Sequence, residues 1–364
     1  MAKTKIAKTE STNTLTEIAK KYGDVIKTGT ELLYNRKDYK VISVSPIVDV
    51  ALSGGIKEGS WVMLSGAAKS GKTTVAMQIA ANCQKENRHI IYLDVEGRLK
   101  EMNFEVSELN PEKVTVIRAF EKPLSAEEFL DIAAKLVSAK ENEGCVCIID
   151  SISSLIPQRD LEQEINGMTR PGLPKILSDF TKKMGQIVPN QKALMILITH
   201  MITNTSGYGA SKMADGGVKI QYQADTRMEV KSVQPWEQDK EQIGQAINWK
   251  VLCSSMGPPG AECQSWIRYG QGVDKVQEAL IMGLEGGLIT QSGAWMTISF
   301  LYNKPQLLNS IFPDDIELNL DNTYKEPEDA LKKCRVNGGP AAYFFLKEHP
   351  SVYSALVEEI KLML

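Results

Sequence analysis

The sequence is poor in the residues from which metal centres and secreted scaffolds are built. It carries three histidines and six cysteines in 364 residues, and no spacing among them suits zinc. Cys83, Cys145, Cys147, Cys253, Cys263 and Cys334 read as free thiols of a protein in a reducing, cytoplasmic setting. Cys145 and Cys147, two apart in an apolar run, are expected to share one face of a strand. Long apolar runs are missing as well. Stretches such as Ala193–Ile198 fall far short of a bilayer span, so no membrane partner is expected. Met1–Glu10 carries lysines with no apolar stretch behind it, the pattern of a chain without a secretory leader. An excess of charge of one sign is also lacking: 42 Lys and Arg against 45 Asp and Glu leave a formal charge of −3. That balance excludes coating nucleic acid by bulk positive charge, though not a local basic patch. With 43% hydrophobic and 24% charged residues, the chain reads as a soluble globular enzyme with one large core and an appendage.

Periodicity divides it. Residues 11–34 read as an amphipathic helix or helix pair, with Leu15, Ile18, Tyr22 and Ile26 on one face. Residues 1–45 are expected to form an N-terminal helical segment and linker that packs on the core or docks on another subunit. From Pro46 onward, strand-like and helix-like stretches alternate: Trp61–Ser65, Lys72–Gln84, Ile90–Asp94, Val114–Ala119, a helix capped by Ser125 with Glu128 completing a capping box, Cys145–Asp150, Leu177–Ile187 and Leu194–Thr199. Continuous apolar strands between helices predict a parallel sheet covered on both faces. Thr226–Val233 and Ala246–Cys253 read as neighbouring strands separated by the polar stretch Gln234–Gln245. The predicted class is α/β: a core over 46–274 with a central, mostly parallel sheet, and a small C-terminal α/β domain over 275–364.

The strongest local pattern is Gly66-Ala67-Ala68-Lys69-Ser70-Gly71-Lys72-Thr73, with Thr74 next, a G-x-x-x-x-G-K-T octet. Glycines let successive N–H groups curl around phosphate oxygens, and the helix that follows presents its unpaired N–H groups to the same anion. Lys72 can reach the outer phosphates and Thr73 can ligate magnesium. A strand precedes the octet and an apolar-faced helix follows it, as the motif requires. Asp150, at the carboxyl end of a strand, can hold magnesium or cap a turn. Glu96 and Asp94, both near the end of another strand, compete for polarising a water. His200 is either a phosphate-sensing donor or a polar strand end.

These segments together resemble the RecA-type homologous recombinases, on the bacteriophage branch that includes UvsX-like proteins. The resemblance runs from about residue 15 to 364. It is carried by Ile42–Leu52 (ISVSPIVDVAL), the phosphate loop, Tyr92-Leu93-Asp94-Val95-Glu96, and Ile149–Pro157 with its D-S-x-x-x-L-x-P pattern. It continues through Gly216-Gly217, Asp225-Thr226-Arg227, Tyr269–Val273, Gly293-Ala294-Trp295 and Phe345–Pro350. The resemblance implies a RecA-like P-loop ATPase core with an N-terminal polymerisation helix, using ATP and Mg2+. It makes Lys72 and Thr73 the phosphate and magnesium residues, Asp150 the metal-side acid and Glu96 the base. It makes His200 the group that couples γ-phosphate to DNA, and places Tyr269 and Gly270 at the base. DNA-facing loops correspond to about Gln158–Gly172 and Met201–Lys219, where Met168, Arg170, Tyr208, Lys212 and Lys219 are the types that hold backbones or enter between bases. On the residues alone, a flexible surface loop is the stronger reading.

What the resemblance implies as function is a DNA-dependent ATPase that forms helical filaments on single-stranded DNA and exchanges strands with a homologous duplex. Its partners would be single- and double-stranded DNA, a single-stranded-DNA-binding protein and a loader, in the cytoplasm of an infected bacterium. A hexameric helicase-type motor and a non-catalytic mediator that binds ATP are the alternatives. Three departures stand out. Cys253-Ser254-Ser255 replaces a pair of lysines that reach a neighbour's nucleotide, Lys100 and Asn103 replace an acid and a tyrosine at the adenine, and no acidic tail precedes Leu364.

Overall fold

A strand that is apolar at every position needs cover on both faces, and the central strands of this chain are built that way. The structure, a computed structural model, describes residues 14, 16–23, 29–30, 39–162, 172–203, 212–238 and 240–363. It falls into two compact units, Met1–Lys40 and Val41–Leu364. In the first, residues 16–22 are helical, with Ile18 half-buried and Tyr22 exposed, while Leu15 and Ile26 lie outside the described residues.

The second unit opens with an antiparallel pair, β1 (Val41–Ile42) and β2 (Ile56–Lys57), on either side of helix α1 (Pro46–Ala51). A ten-stranded sheet follows: β3 (Trp61–Gly66), β4 (Ile90–Asp94), β5 (Val114–Ile117), β6 (Val146–Asp150), β7 (Leu194–Thr203), β8 (Lys212–Ala214), β9 (Thr226–Gln238), β10 (Glu241–Cys253), β11 (Glu262–Arg268) and β12 (Gly272–Val273). Its order is β12-β11-β10-β9-β3-β7-β6-β4-β5, with β8 on β7. From β9 to β5 every pairing is parallel, whereas β9 to β12 form an antiparallel meander. The sheet is therefore mixed but mostly parallel, as expected.

Alternation along each inner strand feeds two cores. Val62, Leu64, Ile90, Tyr92, Ile148 and Ile196 join one cluster with helix α2 (Lys72–Lys85), through Val75, Ile79, Ala80 and Cys83. Trp61, Met63, Ile91, Leu93, Ile149 and Leu197 join the other. There they meet helices α4 (Ala126–Ser138) and α5 (Leu173–Met184), a shorter helix, α3 (Glu101–Ser107), having come between β4 and β5. Cys145 and Cys147 lie together in this second cluster, buried and unpaired, and burial pushes the Cys145 thiol up to about 12. Ser125 Oγ accepts from the Glu128 N–H at 3.2 Å, and Glu128 Oε2 accepts from the Ser125 N–H at 2.8 Å, which fixes the start of α4.

Several elements differ from expectation. Gln234–Gln245 is not a separating loop: β9 and β10 extend through it into one hairpin. Its outer residues are exposed on both faces, so no apolar alternation marks them. Ile42–Leu52 contains α1, led by Pro46 at its first turn. A third apolar cluster spans Ala279 to Ile360. It is built by helices α6 (Lys275–Glu285), α7 (Gly338–Glu348) and α8 (Pro350–Leu362) and a small antiparallel sheet of β13 (Thr290–Ser292), β14 (Trp295–Thr297) and β15 (Arg335–Asn337). The β13–β14 turn is Gly293-Ala294, and Gly293 takes a left-handed φ of 59°.

Candidate nucleotide-binding site

β3 ends at Gly66 and α2 begins at Lys72, so the segment between them must turn sharply from a buried strand into a buried helix. Gly71 completes that turn with a φ of 85°, and a Cβ there would collide with Ile247 and Ile267. Conformation and space both exclude a side chain. The first-turn N–H groups of α2 have no partner within the helix and are the donors an anion can take.

Lys72 is buried. Its ammonium donates to the carbonyls of Gly66 at 3.1 Å and Ala67 at 2.6 Å, and to Ser70 Oγ at 3.4 Å. Burial pushes its pKa down, against the opposing pull of Asp150 and Glu96. A cation held by neutral oxygens in a low-dielectric loop gains strongly from an arriving phosphate.

Asp150, at the end of β6, is desolvated too: burial pushes its carboxyl up, and hydrogen bonds from Tyr92 and Thr73 oppose that. Thr73 Oγ1 donates to Asp150 Oδ2 at 2.8 Å and Tyr92 OH donates to the same oxygen at 2.7 Å. A hydroxyl and a carboxylate in contact beside a phosphate loop are the hard oxygen donors that magnesium takes, water and phosphate completing its shell. Among the described residues no group of three or more His, Cys, Asp or Glu gathers for a metal. A magnesium that arrives with a nucleotide does not need one.

Asp94 and Glu96 part company. Asp94 is buried and its oxygens accept from the N–H groups of Arg98 at 3.0 Å and Leu99 at 3.1 Å and from Arg118 Nη2 at 2.6 Å. It is committed to holding the loop after β4. Glu96 faces the cleft. Its Oε1 takes Ser151 Oγ at 2.8 Å and Ser154 Oγ at 3.0 Å, and lies 2.9 Å from His200 Nε2. Arg98 Nη1 lies 3.1 Å from Oε2. Burial pushes this carboxyl up, but the His200, Ser151 and Ser154 hydrogen bonds outweigh it and hold Glu96 below its ordinary value.

His200 is reached through β7, beside β3 in register with Gly66. Its N–H donates to Ser153 Oγ at 3.0 Å, its carbonyl accepts from Asp215 N at 3.0 Å, and Thr199 Oγ1 donates to the Asp215 carbonyl at 2.9 Å. The strand runs on to Thr203 and pairs with β8, so the segments flanking residues 204–211 start from the cleft wall.

The cleft, of about 300 Å³, is lined by Ala68 to Thr74 and by Tyr92, Asp94, Glu96, Arg98, Leu99, Asn103, Asp150, Ile198, His200 and Gln245. Gly66 and Ala67 act through their carbonyls. Tyr269 and Gly270 are outside the lining, in the β11–β12 turn, where Tyr269 OH accepts from Gln242 Nε2 at 2.8 Å. That turn borders α3, since a Cβ on Gly272 would approach the Val106 carbonyl at 2.6 Å. Of the residues expected to face DNA, Lys219 is exposed on a short helix, Val218–Gln223, and Lys212 is in β8. Met168, Arg170 and Tyr208 lie outside the described residues. Sequence reasoning gave no site role to Tyr92, Arg98 and Gln245, which line the cleft, or to Ser151 and Ser154, which hold Glu96. Tyr92 and the two serines carried a signal, as members of the patterns around Asp94 and after Asp150.

A glycine loop of this build, between a buried parallel strand and its helix, is the mark of the P-loop nucleotide-binding class, and this chain falls within it. Residues 9–274 match the family model described as the RecA N-terminal domain. The chain belongs to the RecA family. It is 30% identical to Protein RecA of Oleidesulfovibrio alaskensis over 298 residues, covering 79% of this chain and 81% of that one. It is 31% identical to Protein RecA of Solidesulfovibrio magneticus over 253 residues (68% and 69%), and 28% identical to Protein RecA of a Nocardioides species over 316 residues (82% and 87%). Among the described residues no helix is long and apolar enough to cross a membrane.

Proposed function

We propose that this chain is an ATP- and DNA-dependent recombinase, which assembles as helical filaments on single-stranded DNA, aligns it with a homologous duplex and exchanges strands. Family membership supports the class. The observation that carries the mechanism is the Glu96–His200 contact, which joins the water-facing carboxylate to the strand leading toward the DNA-facing segment.

Lys72 and the loop N–H groups grip the β- and γ-phosphates of ATP. Thr73 and Asp150 would hold magnesium, which when bound neutralises phosphate charge. Glu96 orients a water and takes its proton as the water oxygen bonds to the γ-phosphorus and the bond to the bridging oxygen breaks, leaving ADP and phosphate. His200 senses the change at Glu96 and passes it along β7. Lys219, Lys212 and Arg170 are assigned to phosphates of DNA, Met168 and Tyr208 to bases, and Tyr269 and Gly270 to the rim near the nucleotide base. Residues 1–45 are assigned to docking on a neighbouring subunit, 46–274 to the ATPase core, and 275–364 to a C-terminal domain. Membership of the bacteriophage branch, with its host-cytoplasm setting and accessory loaders, rests on His200 at the strand end.

The test is electron microscopy of the full chain with single-stranded DNA, with and without a non-hydrolysable ATP analogue. Filaments of regular pitch that need nucleotide are expected. Closed hexameric rings that never grow would establish the helicase-type motor instead, and, in a parallel phosphate-release assay, ATP binding without DNA-stimulated release would establish the mediator.

A further inference from the structure

Resting on the ATPase reading above, we propose that Arg98 is a further catalytic residue: with a nucleoside triphosphate bound, its guanidinium leaves Glu96 and contacts the γ-phosphate, stabilising the charge that builds as the phosphoryl group transfers.

Three observations converge on it. First, Arg98 lines the nucleotide cleft and is 79% exposed, with Glu96 its ion-pair partner among the described residues. A cation so exposed adds little to stability through its ion pair, so folding alone does not account for it. Second, Glu96 does not depend on Arg98 for its orientation. Ser151, Ser154 and His200 all converge on Oε1, whereas Arg98 meets Oε2. The guanidinium can therefore depart and leave the carboxylate in place. Third, the backbone beneath Arg98 is fixed. The buried Asp94 accepts from the Arg98 and Leu99 N–H groups and from Arg118, so a long, mobile stem is mounted on a rigid base.

Charge gives the movement its direction. Three carboxylates face this cleft, Asp94, Glu96 and Asp150, against Lys69, Lys72 and Arg98. A triphosphate brings further negative charge to the side where Glu96 lies, and a planar guanidinium binds phosphate oxygens two at a time, which an ammonium cannot. A group that waits on the water-activating carboxylate is already beside the phosphorus that the water attacks. Arg98 would supply from within the chain a cation that Cys253-Ser254-Ser255 cannot supply from a neighbour.

The test uses full-length Arg98→Ala and Arg98→Lys, with single-stranded DNA present, measuring phosphate release together with affinity for ADP and for a non-hydrolysable ATP analogue. In Arg98→Ala, kcat is expected to fall by about 10²-fold or more. ADP affinity should hold while analogue affinity drops, because only the γ-phosphate loses a partner. Added guanidinium, well below denaturing concentration, should restore part of the rate to Arg98→Ala, and Arg98→Lys should recover little. A kcat close to the parent's, a kcat above it, or an equal loss of ADP and analogue affinity would overturn the assignment. If the parent itself neither binds ADP nor hydrolyses ATP, the nucleotide-site reading fails first. A parent that is active and matched by Arg98→Ala defeats only the inference about Arg98.

Discussion

His200 Nε2 lies 2.9 Å from Glu96 Oε1, although the two residues are 104 positions apart in the chain. One lies within β7, which runs on past it to Thr203 instead of ending at Thr199 as expected, and the other in the loop after β4, the two strands being separated by β6. Three serine or imidazole donors on one carboxylate oxygen are more than orientation alone requires. The histidine adds a connection that the serines cannot, since its strand continues beyond the cleft.

Glu96→Gln keeps size and hydrogen-bonding capacity but removes basicity. ATP binding should be preserved while hydrolysis falls about 10²–10⁴-fold. Lys72→Ala should lose binding and turnover together, because its ammonium holds phosphate in the ground state. Phosphate release measured beside nucleotide affinity separates the two. Hydrolysis by Glu96→Gln near the parent rate would remove the base assignment.

His200→Ala should lower the stimulation of hydrolysis by single-stranded DNA more than it lowers the rate without DNA. The ratio of the two rates is the quantity to follow. A ratio equal to the parent's would reduce His200 to a polar strand end.

Replacing Arg170, Lys212 and Lys219 by alanine should weaken single-stranded DNA binding and flatten its salt dependence, by roughly 0.7 in log–log slope for each DNA phosphate left without its cation. ADP affinity should not change. An unaltered slope would move the DNA-binding surface elsewhere.

Deleting residues 1–35 should leave a protein that binds nucleotide and melts cooperatively but does not polymerise, since Met1–Lys40 forms a compact unit apart from Val41–Leu364. Sedimentation with DNA and ATP reads the outcome. Normal filaments from the deletion would remove the docking role.

Stability should decline as pH rises from about 4 to about 8 because of Glu278 and Asp49. Burial raises Glu278 to about 8 and Asp49 to about 6, from 4.5 and 3.8. Both raised values mean that the folded state keeps a proton the unfolded chain has lost. Stability is therefore full below the unfolded values, falls as pH climbs toward the folded ones, and is lost above about pH 8. Glu278 Oε2 accepts from the Ile47 N–H at 3.2 Å, a bond that glutamine can keep. Glu278→Gln should thus melt with much less dependence on pH between about 4.5 and about 8. A Tm that falls as steeply in the variant as in the parent over that range would assign the loss to another group.

The inner sheet was legible because residues 90–93 and 194–198 form continuous, largely apolar runs, a pattern that two-sided cover produces. The capping box at Ser125 and the phosphate loop were legible because local geometry demands particular residues at fixed spacing. The outer halves of β9 and β10 were not, since exposed strands such as Lys231–Trp236 have no buried face to impose a period. Nor could sequence separate Asp94 from Glu96 without the family. The distinction lies in Arg118 and two backbone N–H groups that fold back onto Asp94, an arrangement set by tertiary structure alone. Tyr92 read as one more apolar strand residue, and nothing local reveals that its hydroxyl meets Asp150.

The pairing of Asp94 with Asp150 across β4 and β6 has a further consequence. It makes the ladder a ruler. Tyr92 reaches Asp150 only because side chains two apart share a face of the sheet, and a slip of one residue would turn that hydroxyl into the opposite core. The spacing between the metal-side oxygen and the water-side carboxylate is thus set by strand alignment together with the loop after β4, whose Val95 and Glu96 N–H groups donate to the Asp150 carbonyl at 3.0 and 3.4 Å. Substitutions in the flanking helices can alter fit and stability by degrees, whereas any change that lets β4 slide on β6 would dismantle both halves of the chemistry at one stroke.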